Sequence, residues 1–274
     1  MITFTVSEEL RSFMRSSQKE AYSALFKASS KTLKTFISDP KYTGGDLPGF
    51  FGVLHTWGRL LQYHPHIHYI VPAGALDKNK RIWKISPEGF LAPIHAMSKV
   101  FKGKFLDIMK EINLDRFIDP AAKRKAWNVN VQYIKSGSKG ALKYLATYVY
   151  KVAISNNRII SIINDKVTFK YKKKNSSRMR TVTLNVFEFM RRFLQHVLPS
   201  GFMKIRYYGF MSGGCRISHN EILILAETAY SFEIRTPDYE PLPEPPPRTC
   251  KKCGGELKYV AIKKNGKTII LDTS

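Results

Sequence analysis

The segment FFGVLHTWGRLLQYHPHIHYIVPAG, residues 50–74, decides the fold of this 274-residue chain. Its first part, FFGVLHTW, and its last part, HIHYIVPAG, are rich in the aromatic and β-branched residues that strands favour. Because only a short loop separates the two predicted strands, we expect them to pair as an antiparallel hairpin. The segment therefore predicts an antiparallel sheet that carries histidines on two neighbouring strands.

Strands and helices alternate along the rest of the chain. The opening ITFTV alternates as a strand does, and apolar residues recur with helical spacing from about residue 8 to residue 37. Further strands are predicted at NVNVQYI, RIISIIN and KVTFKYK, and further helices over residues 98–112, 139–151 and 186–197. This mixture, with hairpins among the strands, predicts an α+β domain in which helices flank an antiparallel sheet.

A proline-rich stretch, TPDYEPLPEPPPR, divides the chain. Its prolines cannot take part in a helix or a central strand, and they favour an extended linker. We therefore expect a main domain over residues 1–235, a linker over 236–249 and a short tail over 250–274.

The tail contains Cys250 and Cys253, whose spacing resembles one knuckle of a zinc site. A structural Zn²⁺ site needs four ligands, so only half of one is visible here. Cys215 and His219 could complete the set on paper, but they precede the linker. We therefore expect this cysteine pair to be the remnant of a zinc site rather than part of a complete one.

The chain is strongly basic, with 45 Lys and Arg against 21 Asp and Glu and a formal charge of +24. Such an excess favours an extended polyanion as the partner, and nucleic acid leads the candidates. No apolar run is long enough to span a bilayer, and the start lacks the features of a secretory signal. Because three cysteines cannot form a disulfide framework either, we expect a reduced, cytoplasmic protein without a membrane partner.

The run from Lys170 to Arg180 concentrates this charge and contains no acidic residue. Strand-like residues on both sides suggest the tip of a hairpin, which could be merely solvated or could contact the phosphate backbone. The overall charge favours contact, and Tyr171 could stack on a base. The candidate phosphate-binding residues are Lys172, Lys173, Lys174, Arg178 and Arg180.

His66 and His68 lie two apart in a predicted strand, so their side chains share one face, with roughly 7 Å between Cα atoms. Two imidazoles on one face can bind one metal ion, although an isolated pair is more often structural. A third ligand is within reach. His55 on the partner strand is the first choice, and Gln62 and His64 in the connecting loop are the alternatives. Three protein ligands would leave positions open for a phosphate oxygen, as a catalytic metal requires.

Tyr144 and Tyr148 lie four apart in the predicted helix KYLATYVYK, about 6 Å apart along one face. They border the apolar stripe of that helix, where tyrosines often serve packing alone. Beside a metal site they become candidate nucleophiles. Because an unperturbed phenol has a pKa near ~10, a neighbouring cation must favour the phenolate, and Lys143 and Lys151 are the local candidates.

In four segments the sequence resembles the HUH (histidine-hydrophobic-histidine) endonucleases, and among them the two-tyrosine rolling-circle transposases named after insertion sequence ninety-one. The segments are VLHTWGRLLQYHPHIHYIVPAGAL, FKGKFL, YLATYVYKVAISNNRI and FMRRFLQHVLPSGFMKIRYYGFMS. The order of these segments and the residues around each motif make the resemblance more specific than the histidine or the tyrosine motif alone. Family members usually carry a cysteine-rich zinc-binding region ahead of the strand that corresponds to ITFTV.

The resemblance implies a bacterial enzyme whose catalytic domain covers residues 1–235. It implies that His66 and His68 bind a divalent cation, Mg²⁺ or Mn²⁺, and that Tyr144 and Tyr148 form 5′-phosphotyrosine links with single-stranded DNA. A plasmid replication initiator or a relaxase would share this chemistry. A non-catalytic single-strand-binding protein is the alternative of another class, and the oligomeric state is open.

Overall fold

A computed structural model describes residues 1–87, 92–134, 153–173, 176, 178–231, 249, 253 and 255, and the backbone of 261–264 and 267–270. The chain divides into two compact units, Met1–Arg235 and Thr236–Ser274. In the first unit the described strands are, in chain order, β1 (Ile2–Thr5), β2 (Gly49–Trp57), β3 (Tyr63–Ile70), β4 (Gly74–Asp77), β5 (Ile82–Ile85), β6 (Asn128–Val131), β7 (Ile159–Ile163), β8 (Lys166–Lys172), β9 (Met179–Asn185) and β10 (Ile205–Gly209). The described helices of this unit are α1 (Arg11–Ser16), α2 (Gln18–Ser38), α3 (Ile94–Glu111), α4 (Pro120–Arg124), α5 (Val186–Leu194) and α6 (His219–Tyr230).

A five-stranded sheet forms the centre of the first unit, in the order β10-β2-β3-β1-β6. Every neighbouring pair in it is antiparallel, and β2 and β3 form the hairpin that the sequence predicts. The architecture is therefore a mixed α+β fold with antiparallel sheets and flanking helices, as expected.

Helices α2 and α3 pack on one face of this sheet and bury the main apolar core. Phe4 of β1 shows how the layers meet, since its ring lies 4.9 Å from that of Phe101 on α3 and 5.8 Å from that of Tyr69 on β3. Along β3 the residues alternate between buried and half-buried, so its second face is left for polar side chains. This alternation is what separates the core from the histidines.

Two buried tyrosines tie β3 to α2. The hydroxyls of Tyr63 and Tyr22 hydrogen-bond at 2.6 Å, and the hydroxyl of Tyr69 bonds that of Ser29 at 2.8 Å. Burial raises the pKa of Tyr22 to about 12 and raises that of Tyr63 further, so both stay neutral donors and acceptors at physiological pH. These bonds hold the two ends of the strand that carries His66 and His68.

A second, three-stranded sheet in the order β7-β8-β9 packs with α5 around the loop between β2 and β3. Its first turn has Asn164 and Asp165 at its centre, with φ angles of 48° and 55°. Positive φ at both central residues is the geometry of a two-residue hairpin turn. Leu61, which is fully buried, belongs to the apolar cluster between this sheet and the hairpin loop.

The first predicted helix is interrupted, which the sequence reading missed. A 3₁₀ turn at Glu8–Leu10 leads into α1, and Ser17, with φ −127° and ψ 52°, separates α1 from α2. The hydroxyl of Ser16 donates to the carbonyl of Phe13 at 2.9 Å. Serine side chains that bond nearby carbonyls compete with helical backbone bonding, and two successive serines allow the chain to bend here.

The position of His64 is a second correction, since it lies inside β3 and not in the connecting loop. The predicted second strand, HIHYIVPAG, begins at His66 and leaves His64 in the loop; Pro65 between them cannot donate a ladder hydrogen bond. The β2–β3 register is irregular between His55 and Trp57, however, and Pro65 falls where no regular pairing needs its missing N–H. The short hairpin of β4 and β5 was not predicted either.

In the second unit the described backbone forms one antiparallel hairpin of β11 (Ala261–Lys264) and β12 (Lys267–Ile270). Cys253 is exposed, whereas Cys250 lies outside the described residues. Within the described part of the chain we find no helix with the length and apolar character that a bilayer crossing requires.

Candidate metal centre

Three histidines meet on the sheet face that turns away from α2 and α3. His55 of β2 is paired directly with His66 of β3, and His68 follows two residues later on the same strand. Because side chains alternate along a strand, the residues between them, such as Ile67, point into the core. The hairpin register alone therefore brings the three imidazoles together.

Candidate ligand atoms of these three side chains lie within 4.8 Å of one another. Nitrogens bound to one tetrahedral metal are about 3.3 Å apart, as follows from metal–nitrogen distances near 2.0–2.1 Å. To bind one ion, the ligand atoms would have to approach one another by up to about 1.5 Å. Among the His, Cys, Asp and Glu residues that the structure describes, this is the group that could hold a metal ion.

The Nδ1 atoms of both β3 histidines have hydrogen-bond partners. His66 Nδ1 donates to the carbonyl of His64 at 2.6 Å, and His68 Nδ1 lies 3.0 Å from Thr3 Oγ1 on β1. A bond at Nδ1 fixes the ring orientation and leaves Nε2 as the atom available to a metal. The donor set is thus oriented by the protein before any ion binds.

His55 is only 2% exposed, and its ring stacks on that of Trp57 with centroids 4.6 Å apart and planes 20° apart. His66 and His68 are half-buried. The triad consequently has one shielded member on β2 and two members that solvent can reach. This arrangement leaves a side through which a ligand could approach.

The two alternative third ligands are engaged elsewhere. Gln62 is exposed, and its Oε1 accepts a hydrogen bond from the backbone N–H of Leu60 at 2.9 Å. His64 Nδ1 lies 3.0 Å from Arg11 Nη2. Burial, and then the charge of Arg11, lower the pKa of His64. Its neutral ring can accept the bond from Arg11. The cluster of candidate ligand atoms contains His55 and not His64, which favours His55 as the third ligand.

The loop between β2 and β3 is held by side chains that the sequence did not single out for this purpose. Three successive carbonyls of the loop accept hydrogen bonds: that of Arg59 from Arg158, that of Leu60 from Arg192 and that of Leu61 from His196, at 3.0, 3.1 and 3.1 Å. We call Arg158, Arg192 and His196 the loop clamp. His196 also bonds Thr56 through its second nitrogen, at 3.2 Å.

Thr3 and the loop clamp could not be found from spacing. Thr3 acts on His68 across a strand pair whose partners are 65 residues apart, and the clamp residues are distant from the loop in sequence. The sequence shows only the alternation of ITFTV, which indicates that Thr3 lies in a strand but not which strand pairs with it.

The structure places only some of the predicted DNA-binding residues. Lys172, Lys173, Arg178 and Arg180 are exposed at the far end of the β8–β9 hairpin, as expected for a hairpin tip. Lys174 lies outside the described residues. So do the candidate nucleophiles and the lysines beside them, Tyr144, Tyr148, Lys143 and Lys151, which fall within residues 135–152.

Comparison with known proteins links this sequence to one group. Residues 49–219 match the family described as "Putative transposase". The chain is 34% identical over 234 residues to "Putative transposase y4qJ" of Sinorhizobium fredii, covering 78% of this chain and 58% of that protein. It is 28% identical over 178 residues to "Transposase for insertion sequence element IS801" of Pseudomonas savastanoi pv. phaseolicola, covering 60% of this chain and 43% of that protein.

The chain thus spans about half the length of the curated relatives it matches. No solved structure matches it. The family match extends from β2 to the start of α6 and includes the histidine hairpin, the β7–β9 sheet and β10. The chain belongs to this transposase family.

Proposed function

We propose that the chain cleaves and rejoins single-stranded DNA as an HUH-type, two-tyrosine transposase in rolling-circle transposition. His55, His66 and His68 hold a divalent ion, Mg²⁺ or Mn²⁺, and Tyr144 and Tyr148 are the nucleophiles. The observation that carries the proposal is the triad, in which both β3 imidazoles are oriented through Nδ1. Membership of a transposase family supports DNA as the substrate.

The donor set fits such an ion. Three neutral imidazoles favour Mn²⁺ over Mg²⁺ on affinity, although geometry and cellular supply also decide which ion is bound, and three protein ligands leave positions for phosphate oxygens. A bound divalent ion polarises the phosphate and stabilises the charge that develops on it. Burial of His55 beside Trp57 keeps one side of the site apolar, so the substrate approaches from the half-buried side of His66 and His68.

In the proposed reaction a tyrosine hydroxyl loses its proton and its oxygen bonds to phosphorus. The bond between phosphorus and the 3′ oxygen breaks, and that oxygen takes up a proton. The products are a 5′-phosphotyrosine and a free 3′-hydroxyl. A 3′-hydroxyl of another strand can then attack the phosphotyrosine and restore the tyrosine, so no nucleotide energy source is needed. Lys143 and Lys151 are proposed to favour the phenolate.

The basic hairpin tip contributes affinity for the strand rather than chemistry. Its exposed lysines and arginines carry a positive charge that no acid within the run offsets. Contacts of this kind bind phosphates and carry little information about base sequence. The proposal therefore separates binding, by the basic surface, from cleavage, by the metal and tyrosines.

The decisive experiment tests for covalent attachment. Single-stranded fragments that tile the flanks of the gene are incubated with the protein and Mn²⁺, and denaturing gels are used to find protein–DNA adducts. We expect the wild-type chain to form an adduct at the 5′ side of the nick. At least one of the single variants, Tyr144→Phe or Tyr148→Phe, should form residual adduct, and the double variant should form none. The phenylalanines keep the rings and remove only the attacking oxygen.

An adduct formed by the double variant would place the nucleophile elsewhere, with Tyr150 the next residue to test. If the wild-type chain binds the fragments but never becomes attached, the non-catalytic single-strand-binding alternative is favoured. A replication initiator or relaxase would also form the adduct, and strand joining between two transposon ends distinguishes a transposase from it.

The ligand set is tested separately by Mn²⁺ titration. We expect His55→Ala, His66→Ala and His68→Ala each to weaken Mn²⁺ binding and cleavage while most DNA binding is retained. Gln62→Ala is the matched control, because its side chain bonds the Leu60 N–H. Should Gln62→Ala weaken Mn²⁺ binding and His55→Ala leave it unchanged, the third ligand is Gln62.

A further inference from the structure

A cavity of about 220 Å³ opens beside the histidine hairpin, between β2, the end of α5 and the chain that leads into β10. Its apolar and aromatic walls are formed by Leu54, Trp57, Phe193, Val197 and Leu198, and Lys204 lies at its edge. Phe193 and Val197 remain 42% and 58% exposed. The cavity is therefore open to solvent, and its lining is an exposed apolar surface of the kind that often binds a ligand.

Trp57 places this cavity next to the metal centre. The same indole that forms one wall of the cavity stacks on His55 at 4.6 Å. Ala153 is a further wall residue. A strand held at the metal can reach the cavity.

The chemistry of the walls suits a flat, neutral ring attached to an anion. Thr56 and His196 bond each other, and His196 also bonds the Leu61 carbonyl, so these polar groups of the wall are satisfied internally. Lys204 Nζ lies 5.5 Å from the centroid of Trp57, and burial lowers the pKa of this lysine. No wall residue in the described part of the chain is acidic. A metal ion or an amine would find no carboxylate here.

We propose that this cavity binds one unstacked base of the DNA strand whose phosphate lies at the histidine triad, with Lys204 near the adjoining phosphate. The inference rests on the proposed function for its ligand, and the chain's charge of +24 favours a strand of nucleic acid over a neutral peptide as the occupant. Aromatic walls bind bases of any sequence, because every base has a face that can stack. The cavity would hold the strand in place without selecting a sequence.

The test compares two probes of equal charge, a fluorescent fifteen-nucleotide oligothymidylate and an abasic strand of the same length, both titrated in EDTA. We expect the wild-type chain to bind the oligothymidylate more tightly than the abasic strand. Phe193→Ala should weaken oligothymidylate binding by about tenfold, in line with the usual contribution of one base–aromatic stack, and leave abasic binding unchanged. Phe193→Leu, which keeps an apolar side chain and removes only the flat ring, should behave in the same way.

Phe187→Ala is the matched control, since Phe187 lies on the same helix, is 76% exposed and does not line the cavity. Equal losses for both probes, or equal effects of the Phe193 and Phe187 variants, would overturn the proposal. Retained base preference in Phe193→Leu would overturn it as well. Because the titrations contain no metal and require no cleavage, their outcome is independent of the adduct experiment.

Discussion

The hydrogen bond between Thr3 and His68 allows a sharp test of how the sheet prepares the metal centre. When His68 binds a metal through Nε2, its Nδ1–H donates to Thr3 Oγ1, which lies 3.0 Å away. Thr3→Val removes this acceptor and preserves the shape of the side chain. We expect His68 to lose its fixed orientation and tautomer while the strand pairing of β1 with β3 is kept.

The magnitude follows from the number of bonds removed. Loss of one outer-shell partner of a metal-bound histidine usually weakens metal affinity by about 10- to 100-fold, which corresponds to about 1.4–2.8 kcal/mol. Mn²⁺ affinity, measured by calorimetric titration without DNA, should fall within this range for Thr3→Val. Thr3→Ser keeps a hydroxyl and should restore most of the affinity.

Thr5→Val is the internal control for this prediction. Thr5 lies on the same strand and is paired with His66, whose Nδ1 donates to the His64 carbonyl instead. Its loss should change Mn²⁺ affinity little. If Thr3→Val leaves the affinity unchanged while its melting temperature matches the wild type, Thr3 does not position His68. Equal losses in both threonine variants would indicate a general effect of the strand rather than this hydrogen bond.

Two further predictions concern charge and pH. Changing Lys172, Lys173 and Lys174 together to Gln should weaken single-stranded DNA binding and lower the slope of log affinity against log salt by up to about 2. The control changes three exposed lysines on α2 and α3, Lys19, Lys31 and Lys110, and should leave both affinity and slope nearly unchanged. Equal slopes for the two triple variants would contradict a contact between the hairpin tip and the phosphates. Burial lowers the pKa of His196 in the folded chain, so its contribution to stability is fully present above the unfolded pKa of about 6.5 and is lost as pH falls from there through the lower folded pKa. His196→Gln should be less stable overall, but its melting temperature should fall less between pH 7.5 and 5 than that of the wild type. Parallel curves for the two proteins would argue against this role.

The histidine hairpin could be predicted from sequence because the residues of each strand indicate β-structure without reference to distant parts of the chain. β-branched and aromatic residues surround His55, and His66 and His68 have the spacing of one strand face. The contact among the three histidines depends on the register between β2 and β3, which could not be predicted from the sequence. The loop and the irregularity between His55 and Trp57 together place His55 opposite His66. Had the irregularity been absent, simple counting across the loop would have paired other residues.

Long-range partners account for most of what the sequence did not predict. The break at Ser17 is local and could have been anticipated from two adjacent serines, but the helical periodicity on both sides outweighed it. The bond from Thr3 to His68 and the bonds from Arg158 and Arg192 to the hairpin loop join residues that are far apart in the chain. The assignment of Tyr144 and Tyr148 as nucleophiles stays a prediction.

The precision of the metal centre depends on the register of β3, and several remote groups protect that register. A slip of one residue would turn His66 and His68 into the core and Ile67 out of it, since side chains alternate strictly along a strand. The buried hydroxyls of Tyr63 and Tyr69 resist such a slip on the helical side. On the loop side, the loop clamp bonds three successive carbonyls and holds the hairpin end against α5 and the β7–β9 sheet. Arg59 of the loop also donates to the carbonyl of Lys172 at 3.0 Å, so the hairpin proposed to bind the DNA backbone is bonded directly to the loop behind the histidines.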